Sequence, residues 1–186
     1  KDSVNTVWWL SKTDHPKADV RKVLVPYSER MHKLLRDKKR FYTPKKRPSG
    51  HDISEGFTTE NEGAIPANLL EIPNTDSNSL YLRLCRAANI KAHPARFPSR
   101  LPSFFIDFLT EPGDLVLDFF AGSNTTGYVA EKAARRWIAF ELSGEYLAAS
   151  VFRFAEDMPS QDVLDLYTLL LNDHEKAEDI STRQHG

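Results

Sequence analysis

Apolar and polar positions change rhythm twice within 111–141, and those changes predict a crossover unit. Pro112-Gly113-Asp114 is a turn signal, and Leu115, Val116 and Leu117 form an apolar run suited to a buried parallel strand. The run meets a carboxylate at Asp118, after which Ala121-Gly122-Ser123 breaks the regularity. Over 125–136 the spacing predicts a helix, with Val129, Ala130, Ala133 and Ala134 along one stripe. A second run over 137–140 ends on Glu141. The predicted order is strand, small-residue loop, helix, strand, acid.

Elsewhere the pattern is more broken. Residues 5–11, with Trp8 and Trp9, have strand composition, and the two indoles would face opposite sides of a strand. A helix is predicted from Ser28, an acceptable N-cap, with Met31, Leu34 and Leu35 as its apolar stripe. Residues 52–78 carry little regular pattern. Helices follow over 79–89, capped by Asn78 or Ser79, and over 103–110, where Phe104, Phe105, Phe108 and Leu109 are buried in part. Another helix is predicted over 143–155, with Tyr146, Leu147, Ser150, Val151 and Phe154 directed inward. The tail holds an amphipathic helix rich in leucine, and the last dozen residues read as disordered.

The central unit has ligand chemistry. Gly122 leaves the backbone open to close approach, and the first N–H groups of the next helix point to the same place. Glu141, nineteen residues past the glycine, is placed to accept hydrogen bonds from a ribose diol. A pyrophosphate cofactor would require a glycine triplet, whereas only Gly122 and Gly127 are present. The loop therefore suits a nucleoside without phosphates, such as S-adenosylmethionine, with Asp118 facing its ammonium or a bound water. An ordinary crossover without a ligand would show the same elements.

Charge sharpens the picture. Net charge is −1, yet positions 17–47 hold twelve basic and three acidic residues, and positions 155–186 hold two basic and eight acidic ones. A basic face for polyanions and an acidic tail follow. Apolar content of 40% and charged content of 27% are ordinary for a soluble protein. The lone Cys85 permits no internal disulfide, which fits a reducing, cytoplasmic compartment, and reads as buried filler. No apolar run has the length of a membrane span, and six scattered histidines propose no metal site. Opening on Lys1 rather than methionine suggests a piece of a longer protein.

The string His93-Pro94-Ala95-Arg96-Phe97-Pro98, then Leu101-Pro102, Phe105-Ile106 and Leu109, runs into Asp118-Phe119-Phe120-Ala121-Gly122-Ser123. This resembles the joined cofactor motifs of the permuted-class DNA amino-methyltransferases. The Ser123-Asn124-Thr125-Thr126-Gly127 loop is most similar to the cytosine-N4 enzymes of type II restriction–modification systems. Phe119, where many relatives have proline, and Asn124, where many adenine-modifying relatives have glycine, are departures from the wider family. The resemblance implies a partial Rossmann-like α/β methyltransferase fold with an irregular target-recognition region. It implies S-adenosylmethionine as cofactor, held by residues 93–98, Asp118, Phe119, Phe120, Ala121, Gly122, Ser123, Asn124, Thr125, Thr126, Glu141 and Leu142.

It also implies four segments: 1–26 as the end of a catalytic half, 27–92 for target recognition, 93–155 for cofactor and 156–186 as an acidic helical tail. Double-stranded DNA with a flipped base would be the partner, met by Lys45, Lys46, Arg47, Ser49 and His51 in a basic, proline-punctuated loop. Relatives grip the amine with Asp, Asn or Ser followed by Pro-Pro and an aromatic residue. None of the eleven prolines adjoins another, so the chain alone is expected to lack catalytic residues. Val25-Pro26-Tyr27 is only a partial echo of that motif. A complementary portion carrying the motif, or a homodimer, is the expected assembly, in a bacterial or archaeal cytoplasm at the nucleoid. Adenine-N6 methylation, or a cofactor- and DNA-binding fragment without activity, are the rival readings.

Overall fold

The computed structural model describes residues 4–38, 48, 59–74 and 78–184, with side chains described as far as 173. Its contacts form two compact units, Ala18–Leu70 and the combination of Lys1–Lys17 with Glu71–Gly186. The basic-loop residues Lys45, Lys46, Arg47, Ser49 and His51 lie outside the described residues.

In the smaller unit, helix α1 spans Glu29–Arg36 and starts as its sequence predicts, with the Ser28 hydroxyl accepting the Met31 N–H. Leu34 is the buried member of its stripe. Val25 and Ala64 exchange two backbone hydrogen bonds of 2.9 Å in an antiparallel bridge. Tyr27 closes the same turn, its hydroxyl donating to the Asn61 carbonyl at 3.1 Å and accepting the Asn61 N–H at 2.9 Å.

The larger unit contains α2 (Leu80–Ala87), α3 (Arg100–Leu109), β1 (Leu115–Asp118), α4 (Thr125–Lys132), β2 (Arg136–Ala139), α5 (Gly144–Ala149) and α6 (Ser160–Gln184). Strands β1 and β2 pair in parallel, from Leu115 opposite Arg136 to Asp118 opposite Ala139. Past the strands the ladder continues, as Phe140 N–H donates to the Asp118 carbonyl and Ala121 N–H to the Phe140 carbonyl. Val116 and Trp137 pack with Ile106, Val129 and Ala130 under α3 and α4. A second cluster joins α2, α5 and α6 around Tyr81, Cys85, Phe152 and Val163.

Several expectations change. Residues 5–11 form no strand and stay exposed, although Trp9 meets the Phe108 ring edge-on at 5.5 Å. Without a neighbouring strand, β-favouring composition has no ladder to join. The run 115–117 is a strand but not a buried one, since Leu115 and Leu117 face outward. Helix α3 begins three residues earlier than 103, because Pro102 is accommodated in its first turn. Helix α4 stops at Lys132, and Ala134, with φ of 56°, turns the chain into β2.

The helix predicted over 143–155 becomes 3₁₀ over Ser150–Arg153. Three residues per turn instead of 3.6 bring Phe152 and Arg153 inward, with Ala155 buried just after them, while Leu147 in the preceding α-helical turns is exposed. Ser79 stands at the N-cap of α2 without a side-chain cap hydrogen bond. Helix α6 runs on to Gln184, through the stretch that reads as disordered. Among the described residues no helix is long and apolar enough to cross a membrane.

Candidate functional site

The site forms where β1 and β2 end. Asp118 turns the chain out of β1, its Oδ1 accepting the Phe120 N–H at 2.9 Å. Two left-handed residues follow, Gly122 with φ of 53° and Asn124 with φ of 56°. Asparagine tolerates that region better than most residues. Its buried side chain caps α4, Oδ1 accepting the Gly127 N–H at 3.1 Å. A Cβ on Gly127 would come within 2.3 Å of that oxygen, so glycine at 127 makes the cap possible.

Glu141 closes the loop from the next strand. Its Oε2 accepts the Gly122 N–H at 2.8 Å and its Oε1 accepts the Ser143 N–H at 3.0 Å. Ser143 in turn caps α5, its hydroxyl accepting the Tyr146 N–H at 3.3 Å. The half-buried carboxylate is thus oriented by two backbone donors on different segments.

Residues 93–98 form the facing wall. The space a Cβ at Gly122 would take is used by the His93 ring, whose nearest atoms would lie 3.1 Å away. The glycine therefore serves a neighbouring side chain, where the sequence suggests room for a ligand. His93 Nδ1 lies 2.8 Å from the Ala95 carbonyl; a carbonyl only accepts, so Nδ1 carries the proton. The Tyr146 ring meets the imidazole edge-on, with centroids 4.6 Å apart. Arg96 Nη1 donates to the His93 carbonyl, which folds the wall on itself. Behind it, Tyr81 is buried, and burial pushes its phenol up to about 12. The neutral hydroxyl accepts the His93 N–H at 3.2 Å.

Thus the structure brings His93, Asp118, Gly122 and Glu141 around one loop. The other predicted cofactor residues fall into three groups. Ser123, Asn124 and Thr125 are buried and engaged within the loop, with Ala121 and Thr126 half-buried beside them. Phe97, Phe119, Phe120 and Leu142 present apolar surface to solvent, and Phe119 stacks on Phe140 at 5.9 Å. In the wall, Pro94 and Ala95 are exposed and Arg96 and Pro98 half-buried.

Sequence reasoning missed Arg153. Its buried guanidinium donates from Nε to the Ser123 carbonyl at 2.6 Å and from Nη2 to the Ser123 hydroxyl at 2.7 Å. It also lies 4.8 Å from the centre of the Tyr81 ring. The available signal was a charge inside Val151-Phe152-Arg153-Phe154. Arginine in such an apolar string stays buried only when polar partners are supplied.

No metal-ligating group of three or more His, Cys, Asp or Glu occurs among the described residues. A cleft of about 440 Å³ in the smaller unit, lined by Glu29, His32, Leu35, Arg36 and Glu60, contains none of the loop residues.

A family model described as DNA methylase matches residues 1–152. Type II methyltransferase M.PvuII from Proteus hauseri is 59% identical over 173 residues, which cover 92% of this chain and 52% of that protein. DNA adenine methyltransferase YhdJ from Escherichia coli (strain K12) is 34% identical over 93 residues, half of this chain and 29% of that protein. Among solved structures, the cytosine-N4-specific PvuII DNA methyltransferase superposes with a TM-score of 0.67 and 46% identity. That match covers 92% of this chain and 48% of the other. The chain therefore spans about half the length of the M.PvuII relative.

Proposed function

The chain belongs to the DNA methylase family, and from that premise we propose that it is the cofactor-binding and DNA-reading part of a cytosine-N4 methyltransferase in a restriction–modification system. The observation that carries the reading is the Glu141 carboxylate, oriented by the Gly122 and Ser143 N–H groups at the end of β2. A carboxylate offers about four lone-pair sites, so about two remain for a ribose diol. The exposed rings of Phe97, Phe119 and Phe140 and the Leu142 side chain give a purine apolar surface. These residues fit S-adenosylmethionine, which when bound supplies a methyl group on a positively charged sulfur. Asp118, at the end of β1, is the carboxylate available to its ammonium.

Residues 27–92 are the proposed target-recognition region, in which Lys45, Lys46 and Arg47 neutralise phosphates and Ser49 and His51 add polar contacts. Methyl transfer to an exocyclic amine needs a flipped base and acceptors for its N–H groups. In this reading those acceptors come from a complementary portion with the Pro-Pro motif. The one-sided cover of the β1–β2 sheet supports such a companion, because parallel sheets are normally covered on both faces.

Glu141→Ala is expected to weaken binding of S-adenosylhomocysteine about tenfold or more, since a hydrogen bond to a charged group is worth roughly 1.5–3 kcal/mol. Unchanged affinity by calorimetry would remove the ribose assignment. In DNA treated with the chain and its complementary portion, nucleoside mass analysis should find N4-methylcytosine. N6-methyladenine would move the protein to the adenine branch that YhdJ represents.

A further inference from the structure

We infer that Arg153 is a positioning residue that locks the small-residue loop to the facing wall and thereby sets affinity for the nucleoside cofactor. The inference rests on the cofactor reading of the loop and extends it to residues outside the pocket.

The geometry is a closed circuit. Gly122 lies against the His93 ring, where a Cβ would meet the imidazole at 3.1 Å. The His93 N–H donates to the Tyr81 hydroxyl at 3.2 Å. The Tyr81 ring lies 4.8 Å from the Arg153 guanidinium carbon. Arg153 then reaches the Ser123 carbonyl at 2.6 Å and hydroxyl at 2.7 Å, and Ser123 follows Gly122 in the chain. Breaking any one contact opens the ring.

Each part of the circuit requires its residue type. Ser123 stands between two left-handed residues, Gly122 and Asn124, so its peptide orientation is not set by a regular element. A guanidinium fork holds carbonyl and hydroxyl together, whereas an ammonium acts as a single point. Arginine also stacks on an aromatic face while donating in its own plane. The buried Tyr81 hydroxyl supplies the oxygen lone pair that accepts the His93 amide, which phenylalanine at 81 would lack. Arg153 itself is fixed by its neighbour Phe152, fully buried against the Tyr167 ring of α6 at 5.4 Å. Helix α6 thus supports the loop by way of Phe152 and Arg153.

The test measures S-adenosylhomocysteine affinity of the 186-residue chain by calorimetry, together with thermal midpoints in the absence of ligand. Arg153→Met should lower affinity about tenfold or more. Arg153→Lys should recover only part of that loss, because charge returns without the fork. Ser123→Ala and Tyr81→Phe, which each remove one hydroxyl and leave the core filled, keep the test decisive if Arg153→Met fails to fold. Each should lower affinity severalfold at temperatures where the protein remains folded. Combined Tyr81→Phe and Arg153→Lys should cost less than the sum of the separate losses, because both open one circuit. Wild-type binding with unchanged affinity in the folded variants, or strictly additive losses, overturns the inference alone. Failure of the wild type to bind removes the cofactor reading and the inference with it.

Discussion

Val116 and Trp137 on one face of the β1–β2 sheet pack under α3 and α4, whereas Leu115, Leu117 and Ile138 on the other remain 46–50% exposed. Both faces are built from equally apolar side chains. The difference lies in what the chain supplies to cover them. One crossover helix between parallel strands lies on one side of the sheet only, and its neighbour α3 joins it there. In the described residues no element performs that service for the second face. Apolar composition therefore marks a face suited to cover, while the cover itself depends on which elements lie against it.

The covered face should be the sensitive one. Ile106→Ala removes the centre of its cluster and is expected to cost about 2–5 kcal/mol, read from the urea midpoint. A cost below about 1 kcal/mol would mean the cluster is not a core. Asn124→Ala acts at the rim, where it removes the α4 cap and leaves a left-handed residue less suited to that conformation. A loss of about 0.5–2 kcal/mol is expected, with weaker helix signal near neutral pH as the accompanying change. Leu117→Thr on the uncovered face should alter stability of the chain alone by no more than about 0.5 kcal/mol. The same substitution should reduce co-purification with the complementary portion. Equal yields of the complex from the wild-type chain and the Leu117→Thr variant would show that this face is not the seat of the companion.

The crossover itself was legible in sequence because its signals are local. Turn residues at 112–114, the apolar run after them and the small-residue break at 121–123 each act within a few residues, as does the Ser28 cap elsewhere in the chain. Gly122 N–H donates to Glu141, so the two residues meet, and the contact orders the backbone of the loop. The strand expected at 5–11 failed for the opposite reason, since a strand exists only when another lies beside it.

What the linear order could not disclose are the contacts that join distant segments. Arg153 meets Ser123 across thirty residues, and its burial depends on Tyr81 from a third element. Gly122 lies close against a histidine in the preceding wall, which no property of the loop announces. The shift from α to 3₁₀ at Ser150 brings Phe152 and Arg153 into burial, while Val151 packs half-buried on the same core and Phe154 stacks on Trp137. Propensity and period set the elements because they act along the chain; the site's rigidity was decided by packing between elements, where one side chain's environment is made by residues far away in sequence.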